Sequence, residues 1–317
     1  VSSPIVVLVT RPVIAATATL NAGRDLRPAD PGYLSCDPAL ASVSVRDPGV
    51  LRGDGIFETI GVINASPRAL DAHLERFASS ARMLDLPTPD LVVWRQAVLH
   101  AIEMHGPTRE LSVRMTMTRG VGSGIGVEPN PASDTRSPLT SAWVSAEEVR
   151  DFEDVRRDGL RAVTLDRGYR SDVAVTSPWL LTGAKTLSYV VNAAALREAK
   201  RRDADDAIFT SSDGFVLEGT TSSVIVQHGT LVRTPGSDLG ILAGTTQARA
   251  FDFFDRNGFD LGYGLIEAAD LTTADGIWLL SSSRLAVPVR RLNGVAIAVD
   301  KILAARLNDH LLGEENA

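Results

Sequence analysis

Only three lysines occur in this chain, Lys185, Lys200 and Lys301, against a combined total of 32 lysines and arginines. Lys200 falls in the charged run Arg197-Glu198-Ala199-Lys200-Arg201-Arg202, and Lys301 in a C-terminal segment of ordinary amphipathic spacing. Lys185 stands apart, in the small and apolar setting Thr182-Gly183-Ala184-Lys185-Thr186-Leu187. An arginine stays protonated, whereas a lysine that is desolvated sheds its proton more easily and can then form a Schiff base with a carbonyl. Lys185 is therefore read as the covalent anchor of a carbonyl cofactor. Glu218 follows 33 positions later, inside the cluster Glu218-Gly219-Thr220-Thr221-Ser222. Taken singly, each has an ordinary alternative: a snorkelling lysine near a helix start, and a solvated carboxylate at a strand end.

Two further groups suit an anion. Thr245 and Thr246 stand at the start of a helix expected over Gln247–Asn257, where backbone N–H groups and the helix dipole favour negative charge. Plain N-capping is the alternative. Arg76 lies just off the apolar face of a helix expected over Leu70–Leu86, with His73 and Glu75 nearby and Asp71 as its N-cap. Its ordinary alternative is a surface ion pair with a carboxylate of the same helix.

The elements that must position these groups follow from spacing. A strand is expected over Ile56–Val62 after the turn Gly53-Asp54-Gly55, a helix over Leu91–Met104, and strands over Leu111–Thr118 and Thr140–Ser145. Glu147–Asp158 is mostly charged and reads as a linker. This divides the chain into an N-terminal α/β domain (1–146), the linker (147–158) and a C-terminal cofactor-anchoring domain (159–317). The second half continues with strand Leu160–Leu165 and helix Ser188–Arg202, whose packed side should hold Val191, Ala194, Ala195 and Ala199. Strands Ala207–Thr210, Phe215–Glu218, Ser222–Gln227, Leu231–Thr234, Ile277–Ser281 and Leu285–Val289 precede a helix over Lys301–Leu312.

Composition narrows the class. Hydrophobic content of 44% and charged content of 22% are those of an ordinary globular protein. A net charge of −7 argues against a nucleic-acid surface. Cys36 is the sole cysteine, which excludes an intramolecular disulfide and a multi-cysteine metal site, calls for no metal and fits a cytoplasmic enzyme. Ile5–Leu20 is apolar, but Arg11-Pro12 interrupts it, it lacks a basic leader, and it is shorter than the roughly 20 residues a membrane helix needs. A buried strand is the reading, with no membrane segment.

Two nucleotide motifs fail. Arg119–Gly126 is glycine-rich but gives no G-x-G-x-x-G register, and reads as a loop over a site or an interface. Gly183-Ala184-Lys185-Thr186 suggests a phosphate loop, but that pattern needs glycine where Trp179 and Ala184 stand.

Six segments occur in one order: Gly53–Thr59 (GDGIFET), Leu70–Phe77 (LDAHLERF), Thr118-Arg119-Gly120, Lys185 with its following helix, Val216–Ser222 (VLEGTTS) and Gly240–Thr246 (GILAGTT). In this the chain resembles the class IV aminotransferases, a family of pyridoxal-phosphate enzymes that includes branched-chain and D-amino-acid aminotransferases and 4-amino-4-deoxychorismate lyases. The resemblance runs from about Arg46 to Val299. It implies an α+β architecture of fold type IV: two α/β domains, the cofactor in the cleft between them, and a homodimer acting on a small amine or amino acid.

The resemblance also implies roles. Lys185 would carry pyridoxal 5'-phosphate and act as the proton-shuttling base. Glu218 would pair with the pyridine nitrogen and keep it protonated. Arg76, Thr245 and Thr246 would hold the phosphate. Thr221 and Ser222 would contact ring or phosphate, and Tyr189 the phenolic oxygen. Where members usually have Asn after Ser222, this chain has Ser223. Val121–Glu128 lacks the Arg-x-His carboxylate trap of D-amino-acid aminotransferases, which disfavours that subgroup. Lys185-Thr186-Leu187-Ser188-Tyr189 looks most like actinobacterial lyase-type members. The expected activity is thus 4-amino-4-deoxychorismate lyase, with an amino-acid aminotransferase as the alternative.

Overall fold

A computed structural model describes residues 4–14, 31–121 and 140–313. The remainder of the apolar N-terminal segment from Ala15, the glycine-rich run from Gly122 and the Pro/Ser/Asp-rich stretch Asn130–Pro138 lie outside the described residues. The chain divides into two compact units, Val1–Val149 with Lys185–Ser188, and Arg150–Ala184 with Tyr189–Ala317.

The first unit contains β1 (Ile5–Val9), β2 (Tyr33–Cys36), α1 (Pro48–Arg52), β3 (Gly55–Ile63), β4 (Ser66–Pro67), α2 (Leu70–Met83), α3 (Leu91–His105), β5 (Glu110–Thr118) and β6 (Ala142–Glu148). Its strands form one antiparallel sheet in the order β2-β1-β6-β5-β3-β4. Leu111, Val113, Met115 and Met117 of β5 are all buried, as their alternation requires. Helix α2 packs on β3, and α3 on β1, β5 and β6. Phe77 of α2 meets Trp94 of α3 edge-on at 4.8 Å, and both are fully buried.

Asp71 is not the N-cap of α2. Ala69 takes that position with φ 49 and no side-chain cap, and Asp71 lies within the first turn, paired with Arg95 of α3. There its charge still meets the positive end of the helix.

Strand β4 covers only Val62 and Ile63 of β3. The other end of that edge is taken by Lys185–Leu187. Phe57 N donates to the carbonyl of Lys185 at 3.1 Å, and Leu187 N to the carbonyl of Gly55 at 2.9 Å. The lysine thus rides on a short antiparallel addition to β3, bridged at Ile56 and Thr186. Gly55 has to be glycine here: a Cβ would lie 2.7 Å from the Met117 carbonyl oxygen and 2.8 Å from Leu187 Cδ1.

The second unit contains α4 (Glu153–Asp158), β7 (Leu160–Asp166), α5 (Val173–Thr176), α6 (Val190–Arg201), β8 (Asp206–Thr210), β9 (Val216–Gly219), β10 (Ser223–His228), β11 (Leu231–Thr234), α7 (Thr245–Arg256), β12 (Asp260–Tyr263), β13 (Gly276–Ser281), β14 (Leu285–Leu292), β15 (Val295–Ala296) and α8 (Lys301–Leu312). Its nine strands form a mixed sheet, β12-β11-β10-β13-β14-β7-β8-β9, with β15 on β14. The stretch Glu147–Asp158, expected as linker, holds the end of β6 and all of α4.

A core of Leu160, Ile208, Val224, Leu279 and Val287 lies on this sheet. On α7, Phe254 meets Trp278 of β13 at 5.7 Å. Helix α6 buries Asn192, Ala195 and Ala199, whereas Val191 and Ala194 face solvent. The packed stripe therefore passes through a polar residue, because Asn192 has a backbone carbonyl to bind.

Candidate active site

In the first unit, strand β3 and helix α2 bring one group of candidate residues together. His73, Arg76 and Ser80 recur at three- and four-residue spacing, so they share one face of α2. That face looks at Glu58 of β3. Glu58 is fully buried and accepts from Arg76 Nε at 2.6 Å, Arg76 Nη2 at 2.8 Å and His73 Nδ1 at 2.8 Å. A carboxylate has no proton to give, so His73 is the Nδ1–H donor. Burial alone would raise the Glu58 pKa, but the charge and hydrogen bonds of Arg76 and the His73 contact outweigh it and bring it to about 2. Burial pushes the pKa of His73 down. Glu58 opposes that shift, while the positive charges of Arg76 and Lys185 add to it.

Lys185 belongs to the same group. Its backbone N–H donates to Ser80 Oγ at 3.1 Å, and Nζ lies 4.6 Å from the centre of the Phe57 ring, in cation–π range. Lys185 therefore lies in an extended segment paired to β3, and the next helix begins only at Val190, which removes the phosphate-loop reading. Arg119 ties the supporting pieces together: its Nε donates to Asp54 at 2.7 Å and its Nη2 to the Leu84 carbonyl at 2.6 Å. The Gly53-Asp54-Gly55 turn is thereby fastened to the end of α2.

The second unit holds the other residues singled out. Glu218 sits on β9, half-buried, and its Oε2 accepts from Leu242 N at 3.2 Å. Tyr169 lies near it; burial raises the phenol pKa, Arg167 opposes, and the Glu218 charge adds to the rise. Thr221 is exposed, while Ser222 is buried and its Oγ has no hydrogen-bond partner. Tyr189 is half-buried at the N-cap of α6. Thr245 and Thr246 are buried inside the first turn of α7, which starts two residues earlier than expected, and Gly244 is the N-cap, with no side-chain cap. Neither threonine is therefore a capping residue.

Glu58 and His73 were not among the expected site residues. Arg76 does form an ion pair, but a buried one with a strand carboxylate 18 positions earlier, not a surface pair along its own helix. The face shared by His73 and Arg76 was a readable signal; the pairing partner was not.

Residues 55–292 match the family model of the class IV amino-transferases, a span that runs from β3 through Arg76, Lys185 and Glu218 to the end of β14. The chain belongs to the class IV aminotransferase family. Enzymes of this family use pyridoxal phosphate. Over 266 residues, 81% of this chain and 88% of the relative, it is 40% identical to a bifunctional aminodeoxychorismate lyase / D-amino acid transaminase of Mycobacterium tuberculosis. A fold IV transaminase from Curtobacterium pusillum superposes with a TM-score of 0.86 at 46% identity, covering 98% of this chain and 99% of the other. A hypothetical aminotransferase from Mycobacterium tuberculosis in its PLP-bound form gives 0.81 at 33% identity, covering 99% and 100%. The chain is thus a pyridoxal-phosphate enzyme of lyase or aminotransferase type.

The residues fit that cofactor. The first unit offers one amine suited to an aldehyde and a nearly buried guanidinium suited to a phosphate; the second offers one carboxylate suited to a pyridinium, a helix N-terminus suited to a phosphate dianion, and an orphaned buried hydroxyl at Ser222.

Proposed function

We propose that this chain is a 4-amino-4-deoxychorismate lyase, releasing pyruvate and forming 4-aminobenzoate for folate synthesis. The observation that carries the reading is the 40% identity, over most of both chains, with a relative bearing the lyase name. The family machinery is shared by both activities, so the second reading is an amino-acid transaminase. It is supported by the other half of that relative's name and by the likeness to the Curtobacterium transaminase. The missing Arg-x-His after Gly120 weighs only against the D-amino-acid subgroup of that second reading.

Bound pyridoxal phosphate supplies an electron sink for the pair left when a substrate C–H bond breaks. Lys185 would be the covalent anchor and, with its amine free, the base. Its Nζ takes the proton from the substrate carbon bearing that amine. The C–O bond to the enolpyruvyl group then breaks, the ring becomes aromatic, and the departing enol takes up a proton to give pyruvate. Glu218 would keep the pyridine nitrogen protonated. Arg76, Thr245 and Thr246 would hold the phosphate, Thr221 and Ser222 would line the cofactor, and Tyr189 would serve its phenolic oxygen.

We further propose a cytoplasmic homodimer. Val175, Trp179, Leu180, Val190 and Val191 are all exposed in one stretch of chain, and a second copy is a natural cover for them. Among the described residues no helix is long and apolar enough to cross a membrane.

The purified, reconstituted protein given aminodeoxychorismate and no keto acid should release pyruvate and 4-aminobenzoate in equal amounts. Consumption of an amino donor and a keto acid one for one, with no 4-aminobenzoate from aminodeoxychorismate, would replace the lyase reading with the transaminase one.

A further inference from the structure

The pairing between β8 and β9 is irregular where it matters most. Ile208 faces Gly219 and Thr210 faces Val216, so Leu217 and Glu218 together oppose the single residue Phe209. A bulge of this kind frees a side chain from the regular alternation of the strand and re-aims it. The ladder by itself therefore does not set the direction of Glu218. Something else has to hold the turn that follows.

Thr220 is that point. It is fully buried, and its hydroxyl and its backbone carbonyl are both taken: Oγ1 donates to Asp206 Oδ1 at 2.6 Å, and the carbonyl accepts from Asn192 Nδ2 of α6 at 2.6 Å. The turn closes on itself through Gly219 N donating to the Ser222 carbonyl at 2.7 Å. Thr220 is thus gripped from β8 and from α6, between Glu218 on one side and Thr221-Ser222 on the other.

Asp206 is itself fully buried, at the first position of β8. Its Oδ1 also accepts from Ala207 N at 2.8 Å. Its Oδ2 lies 2.8 Å from Arg284 Nη2, close enough for an ion pair though out of line for a hydrogen bond. The Arg284 turn is in turn seated by buried Arg156, whose Nε and Nη2 donate to the carbonyls of Arg284 and Ser283 at 3.0 and 3.1 Å. A carboxylate is an acceptor only, so the Thr220 hydroxyl must donate to it, and its rotamer is thereby set.

We infer that Asp206, acting through Thr220 and with Asn192, is a positioning residue that aims Glu218 and the Thr221-Ser222 backbone at the cofactor. This rests on the pyridoxal-phosphate reading of Glu218 given above. Asp206 and Thr220 act on the cofactor only through the turn.

The test uses the full-length protein reconstituted with pyridoxal phosphate and compares wild type, Thr220→Val, Thr220→Ser and Asp206→Asn. Valine keeps the shape of threonine but loses the donor; serine keeps the donor. The readouts are the melting temperature of the cofactor-free protein, the dissociation constant for pyridoxal phosphate, and the pH midpoint at which the bound cofactor changes its visible absorbance. Thr220→Val should bind pyridoxal phosphate roughly tenfold more weakly, the scale of one lost hydrogen bond. It should also move the absorbance midpoint, and Thr220→Ser should recover both values. Asp206→Asn should move the midpoint in the same direction as Thr220→Val.

A lower melting temperature in Thr220→Val with an unchanged dissociation constant and midpoint would overturn the inference and leave a purely structural clamp. Wild-type protein that takes up no pyridoxal phosphate would sink the cofactor reading, and the inference with it. The two failures are therefore told apart by the wild-type control.

Discussion

Replacing Glu58 by glutamine removes the charge that Arg76 and His73 share while keeping the shape of the side chain. The magnitude follows from linkage. The carboxyl falls from an ordinary 4.5 to about 2 in the folded chain, and each pH unit of such a difference corresponds to about 1.36 kcal/mol. Glu58 is fully buried, so solvent screening takes little away. Its ionisation therefore stabilises the fold by about 3 kcal/mol at pH 7, in line with the ~3–5 kcal/mol cost of breaking a buried pair and leaving a cation behind.

The sign is that of a depressed carboxyl. The stabilisation is complete above the unfolded value of 4.5 and is lost as pH falls toward about 2, because the unfolded chain takes up its proton first. At pH 3 less than half of it should remain by the same relation. Urea unfolding of wild type and Glu58→Gln at several pH values between 4.5 and 3, below the ordinary value of 6.5 at which His73 of the unfolded chain titrates, reads this directly, since the groups remote from Glu58 largely cancel in the difference. A gap between the two proteins that stays constant across that range would refute the claim that the buried charge pair supplies the stability.

Lys185→Arg keeps a cation beside Phe57 but cannot form the covalent link; borohydride should fix pyridoxal phosphate to the wild-type peptide containing Lys185 and to no peptide of the variant, as read by mass spectrometry. Gly55→Ala drives a methyl group against the Met117 carbonyl and the Leu187 side chain, so the added strand that carries Lys185 should loosen. Amide exchange at Phe57 and Leu187, the two donors of that pairing, should accelerate, with a stability loss of about 1–3 kcal/mol. For His73, burial lowers the folded pKa, so its contribution is present above the ordinary value of 6.5 and declines as pH drops below it. The stability of wild type should therefore fall more steeply below pH 6.5 than that of His73→Gln.

Much of this molecule was legible because its signals are local. The alternation of Leu111, Val113, Met115 and Met117 marked a strand, and the order of six short motifs marked the family, which the match over residues 55–292 supports independently. The helix ends were less legible. Asp71 has the chemistry of an N-cap, but Ala69 in a left-handed conformation starts α2 two residues earlier, and no propensity rule favours that choice. On α6, Val191 was expected inside by its apolarity, yet the buried stripe runs through Asn192. A polar residue is admitted there because the Thr220 carbonyl has to be satisfied, and that requirement exists only once the fold has formed.

The same distinction explains which site residues were visible. Lys185, Glu218 and Arg76 are chemically unusual where they stand, so residue type alone raises the question of function. Glu58 and Asp206 are not unusual in the sequence. Each lies on a strand and meets its partner 14 or more positions later, Thr220 for Asp206 and Arg76 for Glu58. Both are fully buried carboxylates, which are tolerated only when every oxygen has a cationic or hydrogen-bonding neighbour. The cost of burying them is what makes them informative: an apolar side chain could stand at either position with less penalty. The valine substitution at Thr220 separates the aiming role of Asp206 from stability, because stability should change with the fold alone while cofactor affinity and titration should change only where direction is lost.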